Sequence, residues 1–310
     1  MTEARQLEPF ENLDRLATIE MRPQGLPAGV VRKLYDAARS NNPLSHEAAS
    51  ILAGCAGGRV AIVTGIVFES LPRGEVDGPL GAAFLARTLE QLGVAADVWV
   101  PAEIVPVVEA IRGAIGGEYA AIEEPRTPSD YAAAVTVEKL GRNPSGVAHS
   151  IFGAPVAQEF AADDFIEELN RAGRPTVGIG DGGNEIGFGA MFDEARGLVP
   201  RGRDCGCPCG EGIITTTATQ VLFPVAVSNY GAYAIAAGLA LLAERPDLFP
   251  EPELVADGLR AAVDAGCLDG GSFQPEVYAD DGVPIDGVAA IAMLMRTIVQ
   301  QHFRTSPRKA

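Results

Sequence analysis

The sequence predicts an α/β protein with a mainly parallel sheet, helices on both faces and a Rossmann-like layered architecture. Short apolar runs alternate with helical patterns from Arg59 onward, and glycine-rich loops leave the ends of several of these runs. Strands that alternate with helices usually form parallel sheets, because each crossover returns the chain to the same edge. Helical patterns alone fill residues 1–58, so a helical N-terminal segment precedes the layered core.

The elements follow one another in a regular order. Helical spacing recurs in residues 13–19 and 31–38, and Ser45 is a candidate cap for a helix that ends at Ala53. Residues 60–67 form an apolar run, typical of a strand buried on both faces. Further strands are predicted at 94–100, 118–122, 132–137, 176–179 and 221–227, and further helices at 79–92, 102–115, 162–171, 231–243, 254–263 and 285–303.

Neither a repeat nor a low-complexity linker divides the sequence. We therefore predict one domain over residues 1–310, with a helical lead-in at 1–58, a core at 59–243 and a C-terminal helical part at 244–310. A chain of this length buries about 75% of its unfolded surface, which is enough for a sizeable core.

Charge and composition exclude several kinds of partner. The sequence has 41 acidic and 24 basic residues, a net charge of −17, which repels phosphate backbones and predicts no nucleic-acid partner. The apolar stretch Tyr233–Ala243 is shorter than the ~20 residues that span a bilayer, so no membrane partner is expected. The absence of a leader pattern and an odd cysteine count predict a cytoplasmic protein. A homo-oligomer is the base-rate expectation.

The segment Gly178–Gly187 reads Gly-Ile-Gly-Asp-Gly-Gly-Asn-Glu-Ile-Gly and follows a predicted strand. Its glycines match the spacing of a dinucleotide fingerprint, but Asp181 and Glu185 would oppose a pyrophosphate, so no dinucleotide is expected. Asp181, Asn184 and Glu185 instead offer hard oxygen ligands, which favours a Mg²⁺ or Mn²⁺ site. The alternative is a capped turn that starts a helix at Glu185.

Asp77 is the second candidate carboxylate. It precedes Gly78 and Pro79 at the entry to a predicted helix, where capping is the alternative role. Ligands of parallel sheets bind at the carboxyl ends of the strands, so the loops of Asp77 and Asp181 are expected to converge on one carboxylate cluster.

Three further side chains are candidates for substrate contacts. Arg142 follows a predicted strand and suits a bidentate clamp on a substrate carboxylate, with a solvated surface arginine as the alternative. Ser228 and Asn229 lie between a strand and an apolar helix, where they could cap the helix or bind a ligand at its positive end.

His149 and the cysteines of Cys205–Cys209 are less informative. His149 could shuttle protons, although a lone loop histidine is more often structural. The spacing Cys-x-Cys-x-Cys is shorter than the usual zinc pattern and no histidine is near it in sequence, which favours reduced loop thiols. A Gly-x-Ser-x-Gly elbow is missing, which argues against a serine hydrolase.

Four segments together resemble the C-terminal domain of the D-glutamate cyclase family. They are Glu75–Gly81 (Glu-Val-Asp-Gly-Pro-Leu-Gly), Glu138 with Gly141-Arg142, Gly180–Gly187 and Val227–Tyr233 (Val-Ser-Asn-Tyr-Gly-Ala-Tyr). The order of these motifs is kept from about Arg59 to Ala243, and the Gly-Asp-Gly-Gly-Asn-Glu stretch is the most specific. The resemblance implies a lyase that closes D-glutamate to 5-oxo-D-proline with loss of water.

The reaction suggests a role for each candidate. Our hypothesis assigns Asp77, Asp181 and Glu185 to catalysis and to binding of Mg²⁺ or Mn²⁺. It assigns substrate binding to a second set, Glu138, Arg142, Asn184, Ser228 and Asn229. Three alternatives stay open: a metal-dependent hydrolase of a small anionic or phosphorylated substrate, a non-catalytic amino-acid-binding domain, and a nucleotide-dependent oxidoreductase.

Overall fold

The computed structural model of the protein describes residues 3–157 and 161–304. The strands of this part of the chain are β1 (Arg59–Thr64), β2 (Ala95–Trp99), β3 (Ala120–Ile122), β4 (Ala133–Val137), β5 (Ala148–His149), β6 (Pro155–Val156), β7 (Thr176–Gly180), β8 (Val221–Pro224), β9 (Ala279–Asp280) and β10 (Val283–Pro284). Six of them form one parallel sheet in the order β3-β2-β1-β4-β7-β8. In its register, Ile62 of β1 pairs with Val98 of β2 and Val135 of β4. Two antiparallel pairs, β5 with β6 and β9 with β10, lie outside the sheet.

Helices precede, connect and follow these strands. They are α1 (Glu3–Ala17), α2 (Val30–Ala38), α3 (Leu44–Ala53), α4 (Pro79–Gln91), α5 (Val105–Ile115), α6 (Ala161–Arg171), α7 (Phe192–Leu198), α8 (Ser228–Leu242), α9 (Pro252–Asp264) and α10 (Ile285–Arg304). The first three confirm the predicted helical N-terminal segment.

Alternate residues of β1 pack against different layers of helices. Val60 and Ile62 belong to the largest hydrophobic cluster, which includes residues of α4, α5, α8 and α9. Ala61 and Val63 belong to a second cluster with Phe165 of α6. Because successive strand residues point to opposite faces, helices cover both faces of the sheet. The predicted fold class is therefore confirmed.

The strand order reverses between β1 and β4, which are neighbours at the middle of the sheet. Open α/β sheets bind ligands at the carboxyl ends of the strands at such a reversal. The loops that follow β1, β4 and β7 carry Asp77, Glu138 and Asp181, and Ser228 starts the helix after β8. The fold thus brings residues from distant parts of the sequence to one edge.

The last strand of the six-stranded sheet, β8, and the helix after it, α8, differ from the sequence prediction. The strand ends at Pro224 instead of residue 227, and α8 begins at Ser228 instead of Gly231. The carboxylate of Asp77 accepts hydrogen bonds from the backbone N–H groups of Ser228 (2.8 Å) and Asn229 (2.7 Å). This cap comes from another loop, so the local sequence could not reveal the earlier start.

The largest hydrophobic cluster draws on all three predicted parts of the chain. It contains Leu13 from the lead-in, Ile62 from the core and Val299 from α10. The assignment of residues 1–310 to one domain stays a prediction. Among residues 3–157 and 161–304, no helix combines the length and apolar character needed to cross a bilayer.

Candidate active site

A cleft of about 570 Å³ lies where the loops at the carboxyl ends of the strands meet. Its volume falls within the ~300–1,000 Å³ of typical small-molecule pockets. Apolar side chains line part of it, among them Ile66, Phe68, Leu140, Ile151 and Phe152. The carboxylates in its lining belong to Glu75, Glu138, Asp181, Glu185 and Asp281.

Asp77, just before α4, caps the start of α8, and Asn229, in α8, caps the start of α4. Asp77, 1% exposed, accepts hydrogen bonds from the first two N–H groups of α8. In return, the side-chain oxygen of Asn229 accepts from the N–H groups of Gly78 (3.0 Å) and Gly81 (2.6 Å) at the start of α4. Its amide nitrogen donates to the Val76 carbonyl and to Asp280, so all four hydrogen-bonding positions of this amide are used within the protein.

Gly78 permits this close approach of the two helix starts. Its φ is +97°, and a Cβ atom there would lie 2.4 Å from Oγ1 of Thr64 and 3.1 Å from Cβ of Glu138. A side chain at this position would therefore meet both steric conflict and backbone strain. The glycine keeps Asp77 beside Glu138.

Glu138 adopts a strained backbone conformation at the end of β4. Its φ is +45°, in the left-handed region that non-glycine residues seldom occupy. The side chain is 8% exposed, and its Oε2 accepts a hydrogen bond of 2.5 Å from Oγ of Ser228. Such strain persists where the surroundings enforce it, often at functional sites.

Asp181 faces a buried guanidinium from the N-terminal segment. Nη1 of Arg22 lies 2.8 Å from Oδ2 of Asp181 and 2.5 Å from Oδ2 of Asp281. Burial alone would lower the pKa of Arg22, but the two carboxylates raise it above its ordinary value, so the guanidinium stays charged. Among the described residues that line the cleft, Arg22 carries the positive charge.

The loop after β7 does not start a helix at Glu185. Oε1 and Oε2 of Glu185 accept hydrogen bonds of 2.8 Å from the N–H groups of Gly182 and Gly183. These N–H groups, which a dinucleotide phosphate would need, are thus bonded within the loop. Nδ2 of Asn184 donates to the carbonyl of His149 (2.8 Å), and the buried Oδ1 of Asn184 has no hydrogen-bond partner within the described residues.

Arg142 lies outside this cleft. Its guanidinium forms ion pairs of 2.7 Å with Asp164 and Glu167 of α6, which is the surface role weighed as the alternative. Glu138, Asp181, Asn184 and Glu185 line the cleft. Ser228 bonds to Glu138, and Asp77 and Asn229 lie behind the lining, linked to Ser228 through the backbone N–H bonds to Asp77.

Within residues 3–157 and 161–304, two overlapping sets of carboxylates could hold a metal ion. In each set, one oxygen per residue lies within 4.8 Å of the others; the sets are Asp77 with Glu138 and Asp181, and Asp77 with Asp280 and Asp281. The first set differs from the predicted one by having Glu138 in place of Glu185.

Several carboxylates in the cleft lining or buried behind it have raised pKa values. Burial, followed by the charges of neighbouring carboxylates, raises the pKa values of Asp77, Glu138 and Asp280 well above the ordinary range. Burial also raises the pKa of Asp181, against the opposing effect of Arg22. Bound protons or a bound cation would relieve this repulsion.

These pKa shifts predict how stability depends on pH. A carboxyl pKa that is raised on folding means that the folded state binds more protons than the unfolded state, so stability falls as pH rises above about 4, where unfolded carboxyl groups ionise. Mn²⁺ should counteract this fall, because it competes with the protons. Thermal unfolding of dialysed protein across neutral pH, with and without Mn²⁺, tests this; a cation effect that is independent of pH would contradict it.

Sequence reasoning missed several residues in the cleft lining or directly behind it. Arg22 lies in the lead-in, where no pattern marks it as functional. Asp280 and Asp281 come from the β9–β10 hairpin, in the stretch rich in Gly and Asp before α10. The density of Gly and Asp in this stretch was the sequence feature that could have indicated these carboxylates. Glu75 lies within a recognised motif but next to the more conspicuous Asp77.

The fold and site define a Rossmann-like α/β protein with an acidic ligand cleft at its strand-reversal point. The family model for the D-glutamate cyclase-like C-terminal domain matches residues 18–296, and the chain belongs to this family. The match confirms the resemblance and extends it beyond the residues 59–243 that carried it. No curated protein gives a significant match.

Proposed function

We propose that the protein closes D-glutamate to 5-oxo-D-proline with loss of water, aided by Mg²⁺ or Mn²⁺ bound at Asp77, Glu138 and Asp181. The observation that carries this proposal is the convergence of these three buried carboxylates beside one buried guanidinium. Membership in a D-glutamate cyclase-like family supports the choice of substrate.

The three carboxylates suit a small divalent cation. Octahedral Mg²⁺ bonds of ~2.1 Å place adjacent ligands about 3.0 Å apart and opposite ligands about 4.2 Å apart. The three oxygens lie within 4.8 Å of one another, so the side chains would move inward to hold the ion. Hard oxygen donors favour Mg²⁺ or Mn²⁺ over Zn²⁺ or Cu²⁺, and water and substrate oxygens would complete the shell.

The site must remove protons from the substrate amine, stabilise the γ-carboxyl group during attack, and hold the amine beside that group. The α-ammonium group must lose a proton so that its nitrogen can attack the γ-carboxyl carbon. A C–N bond then forms, a C–O bond breaks, and the departing oxygen leaves as water after taking up protons. A bound divalent cation supplies electrostatic stabilisation of the γ-carboxyl oxygens. Holding the amine beside the carboxyl group in one bound conformer makes the attack intramolecular, which can lower the barrier by several kcal/mol.

Glu185 is the proposed proton carrier. It lines the cleft, and burial raises its pKa above the ordinary value, partly offset by backbone N–H groups. A carboxylate with a raised pKa is a better base near neutral pH. It carries the two protons that the nitrogen loses, one before the attack and one after C–N bond formation, to the departing oxygen, which leaves as water.

Arg22 takes the role first expected for Arg142. Its described ion pairs run through Nη1 and it lines the cleft, so we assign its other guanidinium N–H groups to the substrate α-carboxylate. The free Oδ1 of Asn184 is a candidate acceptor for the substrate amine. Ser228 positions Glu138, and Asn229 positions the loop of Asp77.

The direct test is turnover by dialysed protein. D-Glutamate is incubated with the protein alone, with Mg²⁺ or with Mn²⁺, and 5-oxoproline is followed by chiral chromatography. Cation-dependent formation of the D-product, with less from L-glutamate, supports the proposal. Thermal stabilisation by D-glutamate without product would replace it with a binding function, and hydrolysis of a generic phosphate ester alone would replace it with a hydrolase.

A further inference from the structure

One imidazole and three thiols meet at a place separate from the carboxylate cluster. His149 ends β5, and Cys205, Cys207 and Cys209 lie in the loop after α7. One ligand atom from each lies within 4.8 Å of the other three. His149 is 58 residues before Cys207, which is why the cysteine spacing alone did not indicate a fourth ligand.

The distances match a tetrahedral metal site. Nε2 of His149 lies 3.3 Å from Sγ of Cys207 and 3.7 Å from Sγ of Cys209, and the Sγ atoms of Cys205 and Cys209 are 3.5 Å apart. With Zn–S bonds of ~2.3 Å and Zn–N bonds of ~2.0 Å, tetrahedral ligand atoms are separated by about 3.5–3.8 Å. The four side chains are already close to this arrangement.

Backbone and amide N–H groups point at the sulfur atoms. The N–H of Cys207 donates to Sγ of Cys205 (3.2 Å), and the N–H of Cys209 donates to Sγ of Cys207 (3.4 Å). Nδ2 of Asn143 lies 3.5 Å from Sγ of Cys209. A neutral thiol is a weak acceptor, whereas a thiolate is stabilised by such donors, as metal ligands commonly are.

The loop conformation is built around these bonds. Gly206, between the first two cysteines, has φ +81°, a conformation that side chains rarely adopt. All three cysteines are free, and three thiols cannot pair completely as disulfides. Cys205 is 2% exposed and His149 is fully buried. Because both side chains are shielded from solvent, they suit a structural metal site better than a site with a reactive cysteine.

We propose that His149, Cys205, Cys207 and Cys209 bind one structural Zn²⁺ ion. The set supplies four protein ligands, the Cys₃His combination of closed structural sites, and leaves no open position for a substrate. Thiolate and imidazole donors select Zn²⁺ over Mg²⁺ and Mn²⁺, so this site and the carboxylate cluster would take different metals.

The zinc site would fix one wall of the cleft. Ser150, Ile151 and Phe152 directly follow His149 and line the cleft. Asn184, in the carboxylate loop, donates to the carbonyl of His149. The bound ion would therefore clamp the β5–β6 hairpin onto the Cys205–Cys209 loop and hold Asn184 in place.

The test is the metal content of full-length protein from zinc-supplemented cultures, measured by plasma mass spectrometry after dialysis. We expect one zinc per chain. C207S and H149A should weaken zinc retention at least about tenfold. C55S is the matched control, because it also removes one shielded thiol, from a site that bonds to the Ile51 carbonyl, and should keep full zinc content.

Two further readouts do not depend on the variants folding. Titration of wild-type thiols with a mercurial should release zinc in proportion to the cysteines modified. Exchange of Co²⁺ for Zn²⁺ should give thiolate charge-transfer bands and tetrahedral d–d bands. Wild-type protein that contains no zinc and gives no such Co²⁺ spectrum would overturn the proposal, as would C207S protein with full zinc content. None of these readouts uses D-glutamate, so the result is independent of the proposed activity.

Discussion

Changing Asp181 to Asn should lower D-glutamate turnover at least about 100-fold while the protein stays folded. Asp181 supplies one oxygen of the proposed cation set and lies 2.8 Å from Nη1 of Arg22. The amide keeps the shape of the side chain but loses the charge that attracts the cation. The measurement is initial 5-oxoproline formation at saturating Mn²⁺, with thermal unfolding as the check on folding.

Asp281→Asn is the matched control for this variant. Asp281 also contacts Nη1 of Arg22 but lies outside the set of Asp77, Glu138 and Asp181. Each variant leaves Arg22 with one carboxylate partner and removes a ligand from one of the two candidate cation sets, so the difference between them shows which set holds the cation. A larger loss in Asp281→Asn would favour the set of Asp77, Asp280 and Asp281, and full activity of Asp181→Asn would remove Asp181 from the mechanism.

The second large effect concerns stability. Asp77→Ala should lower the free energy of unfolding by about 2–4 kcal/mol, because it leaves two buried N–H groups at the start of α8 without acceptors. Those groups belong to Ser228 and Asn229, and both are fully buried. Denaturant unfolding of cation-free protein measures this loss.

Asp77→Asn separates the cap from the charge. The asparagine oxygen can accept from one of the two N–H groups of Ser228 and Asn229, while its NH₂ group faces the other, and loss of the charge relieves repulsion from the neighbouring carboxylates that raise the pKa of Asp77. We therefore expect a loss of stability smaller than that of Asp77→Ala, together with loss of cation binding. If the Asp77→Ala protein is as stable as wild type, water or another group accepts the hydrogen bonds of the first two N–H groups of α8.

Local patterns predicted the sheet because its strands are short apolar runs between helical stretches. They also located Asp77 and Asp181, since both follow strands whose carboxyl ends share one edge. The start of α8 could not be predicted, because its cap comes from Asp77, in a loop far away in sequence.

Contacts between distant segments explain the remaining differences. Arg142 has the residue type of a substrate clamp, but acidic side chains of α6 bind it at the surface. Arg22 replaces it in the cleft and lies in a segment without a recognisable motif. Likewise, His149 reaches the cysteines only through the three-dimensional fold.

The most direct test of the central claim is a titration of dialysed protein with Mn²⁺, in which free Mn²⁺ is followed by electron paramagnetic resonance. Mn²⁺ is too hard an ion to displace zinc from thiolates, so the signal reports the carboxylate cluster. We predict one Mn²⁺ per chain, displaced by excess Mg²⁺ and weakened at least about tenfold by Glu138→Gln. Glu167→Gln, on the exposed face of α6, should bind Mn²⁺ like wild type. Wild-type protein with no specific Mn²⁺ binding, or equal affinity in Glu138→Gln, would contradict the account.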